Sequence, residues 1–235
     1  MLMSNADHIT PLSKLPHFDP RQVPVVGVDA HLPAVPADAL QAPALLARFA
    51  NPPPWEPELR AEPRFTERKT AHAAVLMPIV LHPEPTLLLT RRTVHMSTHS
   101  GQVAFPGGKV DAEDASHEAA ALREAHEEVG LLPALVQVAG CLPTYTTGTA
   151  FIVTPVVGLV QPGFALAPNA QEVADVFEVP LSFLMNPAHH RRHQLLAEGV
   201  QRQWFSMPYH DGRQEHFIWG ATAGMLRNLY RFLAA

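Results

Sequence analysis

The stretch "LREAHEEVG", residues 122–130, places Glu124, Glu127 and Glu128 within five positions of one another. If the stretch is helical, residues three and four apart share a face, and like charges there repel by about 0.2–0.5 kcal/mol per pair. A divalent cation between the carboxylates would remove this repulsion, because magnesium and manganese prefer oxygen ligands. Taken alone, such a cluster is more typical of a solvated helix face, so its sequence context decides between the two interpretations.

The residues around this cluster predict an α-helix. The segment "ASHEAAALREAHEEV", residues 115–129, consists mainly of Ala, Leu and Glu, which favour helices. Asp114 or Ser116 is suited to cap its N-terminus, and Gly130 is suited to end it. We therefore expect Glu124 and Glu128 to lie one helical turn apart and to point the same way.

Composition excludes several classes of protein. The chain has 235 residues, of which 47% are hydrophobic, and a formal net charge of -5. No dense Lys/Arg run is present, which argues against a nucleic-acid binder. No run of 18 apolar residues or secretory signal is present, which argues against a membrane span or secretion. A single cysteine, Cys141, fits a reducing compartment, so we expect a cytoplasmic protein.

The distribution of proline divides the chain. Residues 1–69 contain 12 of the 24 prolines and a single glycine, Gly27. We interpret them as a Pro-rich N-terminal extension, either draped on the domain or partly disordered, with one short helix within residues 37–49. Residues 70–235 are predicted to form the main folded domain.

Short apolar runs after residue 70 predict strands, and two separated amphipathic segments predict helices. This mixture favours an α/β (α+β) fold, with a mixed sheet and helices packed on its faces. The predicted strands and the closing helix are "AAVLMPIVLH" (73–82), "TLLLTRR" (86–92), "LVQVAGCLPTY" (135–145), "FIVTPVVGLV" (151–160), "EVADVFEVPLSFLM" (172–185, a strand entering a helix), "RQWFSMPYH" with "QEHFIWG" (202–210 and 214–220, a hairpin) and the helix "TAGMLRNLYRFLA" (222–234).

The segment "FPGGKVDAEDASHEAAALREAHEEVGL", residues 105–131, resembles the signature of the Nudix hydrolase family, G-x5-E-x7-R-E-U-x-E-E-x-G-U, with U aliphatic. Ala125 stands at the aliphatic position. Asp114 stands where the family usually has Glu, and eight residues rather than seven separate it from Arg123. The matching positions are Gly108, Arg123, Glu124, Glu127, Glu128, Gly130 and Leu131.

The resemblance implies an α/β/α sandwich that hydrolyses nucleoside diphosphates linked to another moiety, with Mg²⁺ or Mn²⁺. It implies that Glu124 and Glu128 are the main metal ligands and that Glu127 is a further ligand or a base. Arg123 would orient Glu127 or Glu128. The turn at residues 107–108 would bring backbone to the metal or the substrate. A further carboxylate commonly reaches the metals from outside this signature in such enzymes.

A second segment, "LLTRRTVHMSTHSGQVAFPGG" (88–108), resembles the signature of coenzyme A-type Nudix pyrophosphatases. Arg92, Gly107 and Gly108 are the substrate-binding residues that it implies. Ser97 stands where the pattern has Arg, so that site loses a bidentate phosphate donor. Either the affinity for the coenzyme is then weaker, or His95, His99 or Arg91 supplies the missing cation. Glu172, in a predicted loop, is our candidate for the additional carboxylate or substrate contact; a surface glutamate or helix cap is the alternative.

The resulting prediction is cleavage of coenzyme A or acyl-CoA to adenosine 3',5'-bisphosphate and a phosphopantetheine. Two alternatives stay open. One is a broader hydrolase of ADP-ribose, NADH or oxidised nucleotides, and the other is a non-catalytic nucleotide-binding module. The expected partner is a small nucleotide, with no nucleic acid and no membrane. A homodimer is one option for its assembly.

Some conspicuous residues have simpler explanations. We expect Trp204, Phe217 and Trp219 to pack in the hairpin rather than to stack on a base. The basic run "HHRRH", residues 189–193, is predicted to be a solvated loop. Cys141 is predicted to be a buried small residue.

Overall fold

The computed structural model describes Thr10 and residues 18–64, 66–94 and 101–235. Within these residues the backbone forms twelve strands and four α-helices. The strands are β1 (Val25–Val28), β2 (Ala71–Val80), β3 (Thr86–Arg92), β4 (Val103–Ala104), β5 (Gly107–Lys109), β6 (Val136–Cys141), β7 (Tyr145–Thr146), β8 (Phe151–Val160), β9 (Val173–Pro180), β10 (Arg191–Ala197), β11 (Val200–His210) and β12 (Glu215–Trp219). The helices are α1 (Ala42–Ala50), α2 (His117–Val129), α3 (Leu181–Leu184) and α4 (Gly220–Leu233).

The larger sheet is mixed, as predicted. Strands β2 and β8 lie parallel at its centre, paired from Ala71↔Phe151 to Val80↔Val160. Antiparallel strands flank this pair in the order β4-β3-β2-β8-β6, while β5 pairs with β2, β7 with β8 and β9 with β3. The two central strands are apolar along most of their length because both faces of the sheet are covered.

Helices cover both faces of this sheet. On one face, α2 packs Ala120, Ala121, Ala125 and Val129 into an apolar cluster. On the other face, the larger core contains the buried residues of α4 together with α1. This arrangement confirms the predicted α+β class with helices on both faces, and it leaves the polar side of α2 to form the site.

A second sheet, in the order β1-β10-β11-β12, was only partly predicted. The β11–β12 hairpin is confirmed, but β10 begins within the basic run 189–193, so the prediction of a solvated loop there is wrong. His190 and His193 are buried. Neutral imidazoles are tolerated inside a protein when their nitrogens are paired: the Nε2 of His190 lies 2.7 Å from the Leu184 carbonyl oxygen and that of His193 2.7 Å from the Ser206 hydroxyl.

Residues 18–64 pack against the rest of the fold. Helix α1 confirms the predicted short helix, and Leu40 and Leu45 are buried. Strand β1, which the sequence did not predict, pairs with β10. The backbone of Leu59 exchanges two hydrogen bonds with the Asn228 side chain, at 3.0 and 2.6 Å. These contacts tie the proline-rich segment to helix α4.

Two smaller predictions are also decided. Trp204 and Phe217 are buried in the second sheet, so they pack as expected. Cys141 is exposed, which contradicts its predicted burial. It lies at the end of β6, and its thiol donates a hydrogen bond to Glu118 at 3.3 Å. Among the described residues, no helix is long and apolar enough to cross a membrane.

Candidate active site

Helix α2 carries the three glutamates, and local chemistry fixes both of its ends. The Ser116 hydroxyl accepts a hydrogen bond from the Ala119 N–H at 3.2 Å. Of the two predicted caps, Ser116 is therefore confirmed. Gly130 ends the helix in the left-handed conformation, with a φ of 74°. A Cβ at this glycine would lie 2.8 Å from the Ala167 nitrogen, so the position suits glycine alone.

Glu128 is the most buried carboxylate of the cluster, with 4% of its surface exposed. The Gly107 N–H donates to its Oε2 at 3.1 Å, and Arg92 Nη1 lies 3.5 Å from its Oε1. Burial raises the pKa of Glu128 to about 7, although Gly107 and Arg92 oppose the rise. The carboxylates of Glu124 and Glu172 add to this rise in the pKa. A nearby cation would strongly stabilise the ionised form of this carboxylate.

Glu124 lies one turn earlier, directly over Gly108. A Cβ at Gly108 would lie 2.4 Å from the Glu124 carboxyl carbon, so the carboxylate occupies the space that a side chain would fill. Burial also raises the pKa of Glu124. The absence of a side chain at Gly108 therefore allows the Glu124 carboxylate to approach the backbone.

The predicted turn at residues 107–108 is wrong. Both glycines belong to strand β5, which pairs antiparallel with β2 through Val75↔Gly107 and Ala74↔Gly108. Strand β3 pairs only with Ile79 and Val80 of β2, which leaves the first half of that edge available to β5. The glycine backbone is therefore held rigidly by a sheet beneath α2.

Arg123 organises the polar side of α2. Its guanidinium makes two hydrogen bonds to Asp114, at 3.0 and 2.9 Å, and one to Glu124 Oε1 at 3.0 Å. It also donates to the Lys109 carbonyl oxygen at 3.1 Å. The hydrogen bonds from Arg123 lower the pKa of Asp114 to about 2, so this carboxylate is ionised at neutral pH. Asp114 thus connects the loop before α2 to the helix despite the extra residue in the spacing.

Glu127 departs from the expected convergence of three carboxylates. Its side chain is 58% exposed and its Oε2 lies 3.4 Å from Arg123 Nη1. A position one residue before Glu128 turns about 100° around the helix, which takes this carboxylate away from the buried pair. The structure therefore brings Glu124 and Glu128 together with Gly107 and Gly108, and it leaves Glu127 at the solvent edge.

Arg92 and Glu172 lie beside the buried carboxylate. Arg92 ends β3 and pairs with Val173 of β9, immediately after Glu172. The Thr93 N–H donates to the Glu172 carbonyl oxygen at 2.9 Å, which closes the same corner. The predicted substrate-binding Arg92 is thus in contact with a predicted metal ligand, Glu128, and Glu172 acts on that ligand electrostatically.

Arg91, proposed as a replacement cation for the missing Arg, has other partners. Its guanidinium pairs with Asp175 and donates a hydrogen bond to the Gln214 side-chain oxygen at 3.1 Å. The β11–β12 connection is thereby bonded to β3 and β9. Ser97, together with His95 and His99, lies outside the described residues.

The donor set fits a hard divalent cation. Glu124 and Glu128 present carboxylate oxygens from one helix face over a strand whose glycine leaves room for them. In the described part of the chain, no three His, Cys, Asp or Glu side chains are already grouped closely enough to hold a metal. Arg123, Arg92 and the Gly107 N–H contact the carboxylate oxygens instead.

Sequence reasoning missed two parts of this arrangement. The Lys109 carbonyl oxygen binds Arg123, and Asp111 Oδ2 lies 3.6 Å from the same guanidinium. Every residue has a backbone carbonyl, so residue type gives no signal for the first contact. The acids in "DAED", residues 111–114, are a visible signal, but the pattern alone does not indicate which one faces the helix.

The chain belongs to the Nudix family, since the NUDIX domain matches residues 70–206. Its relatives are hydrolases of that family. A protein named "Uncharacterized Nudix hydrolase NudL" from Enterobacter sp. (strain 638) is 48% identical over 158 residues, or 67% of this chain and 80% of the relative. The protein of the same name from Photorhabdus laumondii subsp. laumondii is 43% identical over 184 residues, or 78% of this chain and 95% of the relative.

A solved structure, the Nudix hydrolase RenU from M. smegmatis, shares 24% identity. The match covers 48% of this chain and 71% of that one, with a TM-score of 0.39. Family membership makes the protein a Nudix hydrolase, an enzyme that acts on pyrophosphate bonds of small nucleotide substrates and generally uses divalent metal ions.

Proposed function

We propose that this enzyme hydrolyses the diphosphate of coenzyme A or acyl-CoA to adenosine 3',5'-bisphosphate and (acyl-)4'-phosphopantetheine, with Mg²⁺ or Mn²⁺. The observation that carries the proposal is the position of the described residues 88–94 and 101–108, which belong to the coenzyme A-type pattern. They supply two groups that contact the Glu128 carboxylate, since Arg92 ends β3 and Gly107 begins β5. The residues on which the coenzyme A assignment rests are thus bonded to helix α2.

The residues of the site have distinct proposed roles. Glu124 and Glu128 would hold the metal, and Arg123 keeps Glu124 in place through its bond to Asp114. The bound ion would neutralise the diphosphate, lower the pKa of water and orient the reacting oxygens. Glu127 lies at the solvent edge of the same helix, and we assign it to accept the proton that water loses.

In the proposed reaction, the water oxygen forms a bond to one phosphorus and the bridging oxygen leaves with the other. The proton passes to Glu127. The rest of the site favours this reaction because its polar groups are positioned before the substrate binds. The β5 backbone is held by β2, and Asp114 is bonded to Arg123. Arg92 and Glu172 lie at the same corner between β3 and β9, and we assign them to substrate binding.

The proposal is tested with the full chain, Mg²⁺ or Mn²⁺, and a panel of coenzyme A, acetyl-CoA, ADP-ribose, NADH and 8-oxo-dGTP, with products resolved by chromatography. Selective release of adenosine 3',5'-bisphosphate is the expected result. Preferential cleavage of ADP-ribose or NADH would overturn the coenzyme A assignment in favour of a broader hydrolase. Absence of turnover on every substrate, with either metal, would overturn catalysis on this class.

A further inference from the structure

Arg92 occupies an unusual place for a substrate-binding arginine. Its Nη1 lies 3.5 Å from Glu128 Oε1, and the two side chains are 20% and 6% exposed. The other carboxylate oxygen, Oε2, receives the Gly107 N–H at 3.1 Å. Both oxygens of this carboxylate are therefore engaged by groups of the chain itself, and one of those groups is a full positive charge.

The contact uses little of the hydrogen-bonding capacity of Arg92. A separation of 3.5 Å is at the long limit of a hydrogen bond. Its Nε is buried and has no hydrogen-bond partner in the part of the chain that the structure describes. A buried donor without a partner is destabilising, so an arginine in this state is ready to exchange its partner. Its fork of donors matches a phosphate better than this single distant contact does.

The charges around Glu128 explain why the guanidinium of Arg92 stays beside this carboxylate. Glu124 and Glu172 are negative neighbours of this carboxylate, whereas Arg92 is the positive side chain that acts on it. A divalent cation bound by Glu124 and Glu128 would take over that function with twice the charge. The same cation would repel Arg92, because like charges at a few ångströms in a half-buried site interact strongly.

We propose that Arg92 is the counter-ion of Glu128 in the metal-free protein and that the divalent cation replaces it. The released guanidinium then turns its Nε and Nη donors to a phosphate of the substrate. Metal loading and anion recognition are thereby coupled through one side chain. The first half of the inference concerns the metal alone, and the second half rests on the proposed function, a phosphoanhydride substrate.

The exchange is tested by Mn²⁺ binding to the full chain, measured by calorimetry and by the electron paramagnetic resonance signal of free Mn²⁺. In Arg92→Met the competing charge is absent, so Mn²⁺ is expected to bind about tenfold more tightly, while KM for coenzyme A rises at saturating metal. Arg91→Met is the matched control, since Arg91 pairs with Asp175 and Gln214 and its loss should leave Mn²⁺ affinity unchanged. Unchanged or weaker Mn²⁺ binding by Arg92→Met overturns the exchange.

A second variant keeps the test decisive if Arg92→Met folds poorly. Arg92→Lys retains the charge, so its Mn²⁺ affinity should stay within about twofold of the parent protein, whereas its KM should rise because the planar fork is lost. In the parent protein, the Nε–Hε signal that is missing from the spectrum of Arg92→Lys identifies Arg92 by nuclear magnetic resonance. This signal is expected to shift on titration with Mg²⁺. A signal that does not move through saturation would contradict the release of Arg92.

The outcomes separate this inference from the proposed function. Tighter Mn²⁺ binding by Arg92→Met, in a protein that does not cleave coenzyme A, would support the exchange and reject the substrate. Efficient cleavage of coenzyme A, with Mn²⁺ affinity indifferent to Arg92, would support the substrate and reject the exchange.

Discussion

The close approach of Glu124 to Gly108 makes Gly108→Ala a sharp test of the site. The added Cβ would lie 2.4 Å from the Glu124 carboxyl carbon and 2.4 and 2.5 Å from its two oxygens. Ordinary contact begins at 3.4 Å, so the carboxylate must retreat by about 1 Å. A misplacement of about 1 Å in a catalytic arrangement can cost about 100-fold in rate. We expect that loss in kcat/KM, together with weaker Mn²⁺ binding.

The same substitution should leave the fold intact, because the atoms that must move are at the end of a flexible side chain. Two glycines provide the comparison. A Cβ at Gly107 would lie 2.5 Å from the Ala74 carbonyl oxygen, a backbone atom within the β2–β5 pair, so Gly107→Ala should lower Tm. At Gly27 the closest atom would be a side-chain atom at an ordinary 3.5 Å, so Gly27→Ala should change nothing.

The measurements are coenzyme A turnover, Mn²⁺ calorimetry and thermal unfolding on the three variants. The reasoning is refuted if Gly108→Ala binds Mn²⁺ and turns over substrate as the parent protein does. It is equally refuted if the loss of activity of Gly108→Ala comes with the same drop in Tm as that of Gly107→Ala, since the defect would then be one of folding.

Three further predictions follow from other buried polar groups. Glu128→Gln should lower kcat at least about 100-fold in a turnover assay with little change in Tm, because the amide oxygen still accepts a bond but carries no charge. Burial lowers the pKa of His190 to about 4. Between about pH 6.5 and 4 the unfolded state therefore binds a proton that the folded state does not. The free energy of unfolding should fall by up to about 3 kcal/mol as the pH drops through that range. His190 Nδ1 lies 3.1 Å from Arg227 Nη1. Because glutamine does not titrate, His190→Gln should flatten the pH dependence of stability in urea unfolding. Asn228→Ala should cost about 1–3 kcal/mol in urea unfolding, since it leaves the N–H and carbonyl of Leu59 without their partner.

Each of these has a plain contrary outcome. Near-normal turnover by Glu128→Gln would reject its role as a ligand. A stability that is flat from pH 6.5 to 4, or identical in His190→Gln, would show that this histidine accepts a proton without cost. A change below about 0.5 kcal/mol in Asn228→Ala would mean that residues 51–64 do not depend on this contact with α4.

Several elements were predictable because their signals are local. Helix α2 follows from helix-favouring residues between Ser116 and Gly130, and both ends are set by bonds within a few residues. Strands β2 and β8 follow from apolar runs of the right length. The failures depend on distant partners. Strand β10 was missed because His190 and His193 are polar in sequence, and their burial depends on bonds to Leu184 and Arg227 and to Ser206 and Val23.

By itself, the sequence determined the family and the spacing of the acids, since the Nudix pattern is carried by residue type and number along one helix. It determined that Glu124 and Glu128 share a face, because that depends only on the pitch of an α-helix. The tertiary structure decided what that face meets. Strand β5 lies under Glu124 because β3 leaves an edge of β2 open, and Arg92 reaches Glu128 because β3 ends beside α2. The contacts of Gly108 with Glu124 and of Arg92 with Glu128 join residues 16 and 36 positions apart, so the burial and the charge of the site arise from packing, which residue order alone does not specify.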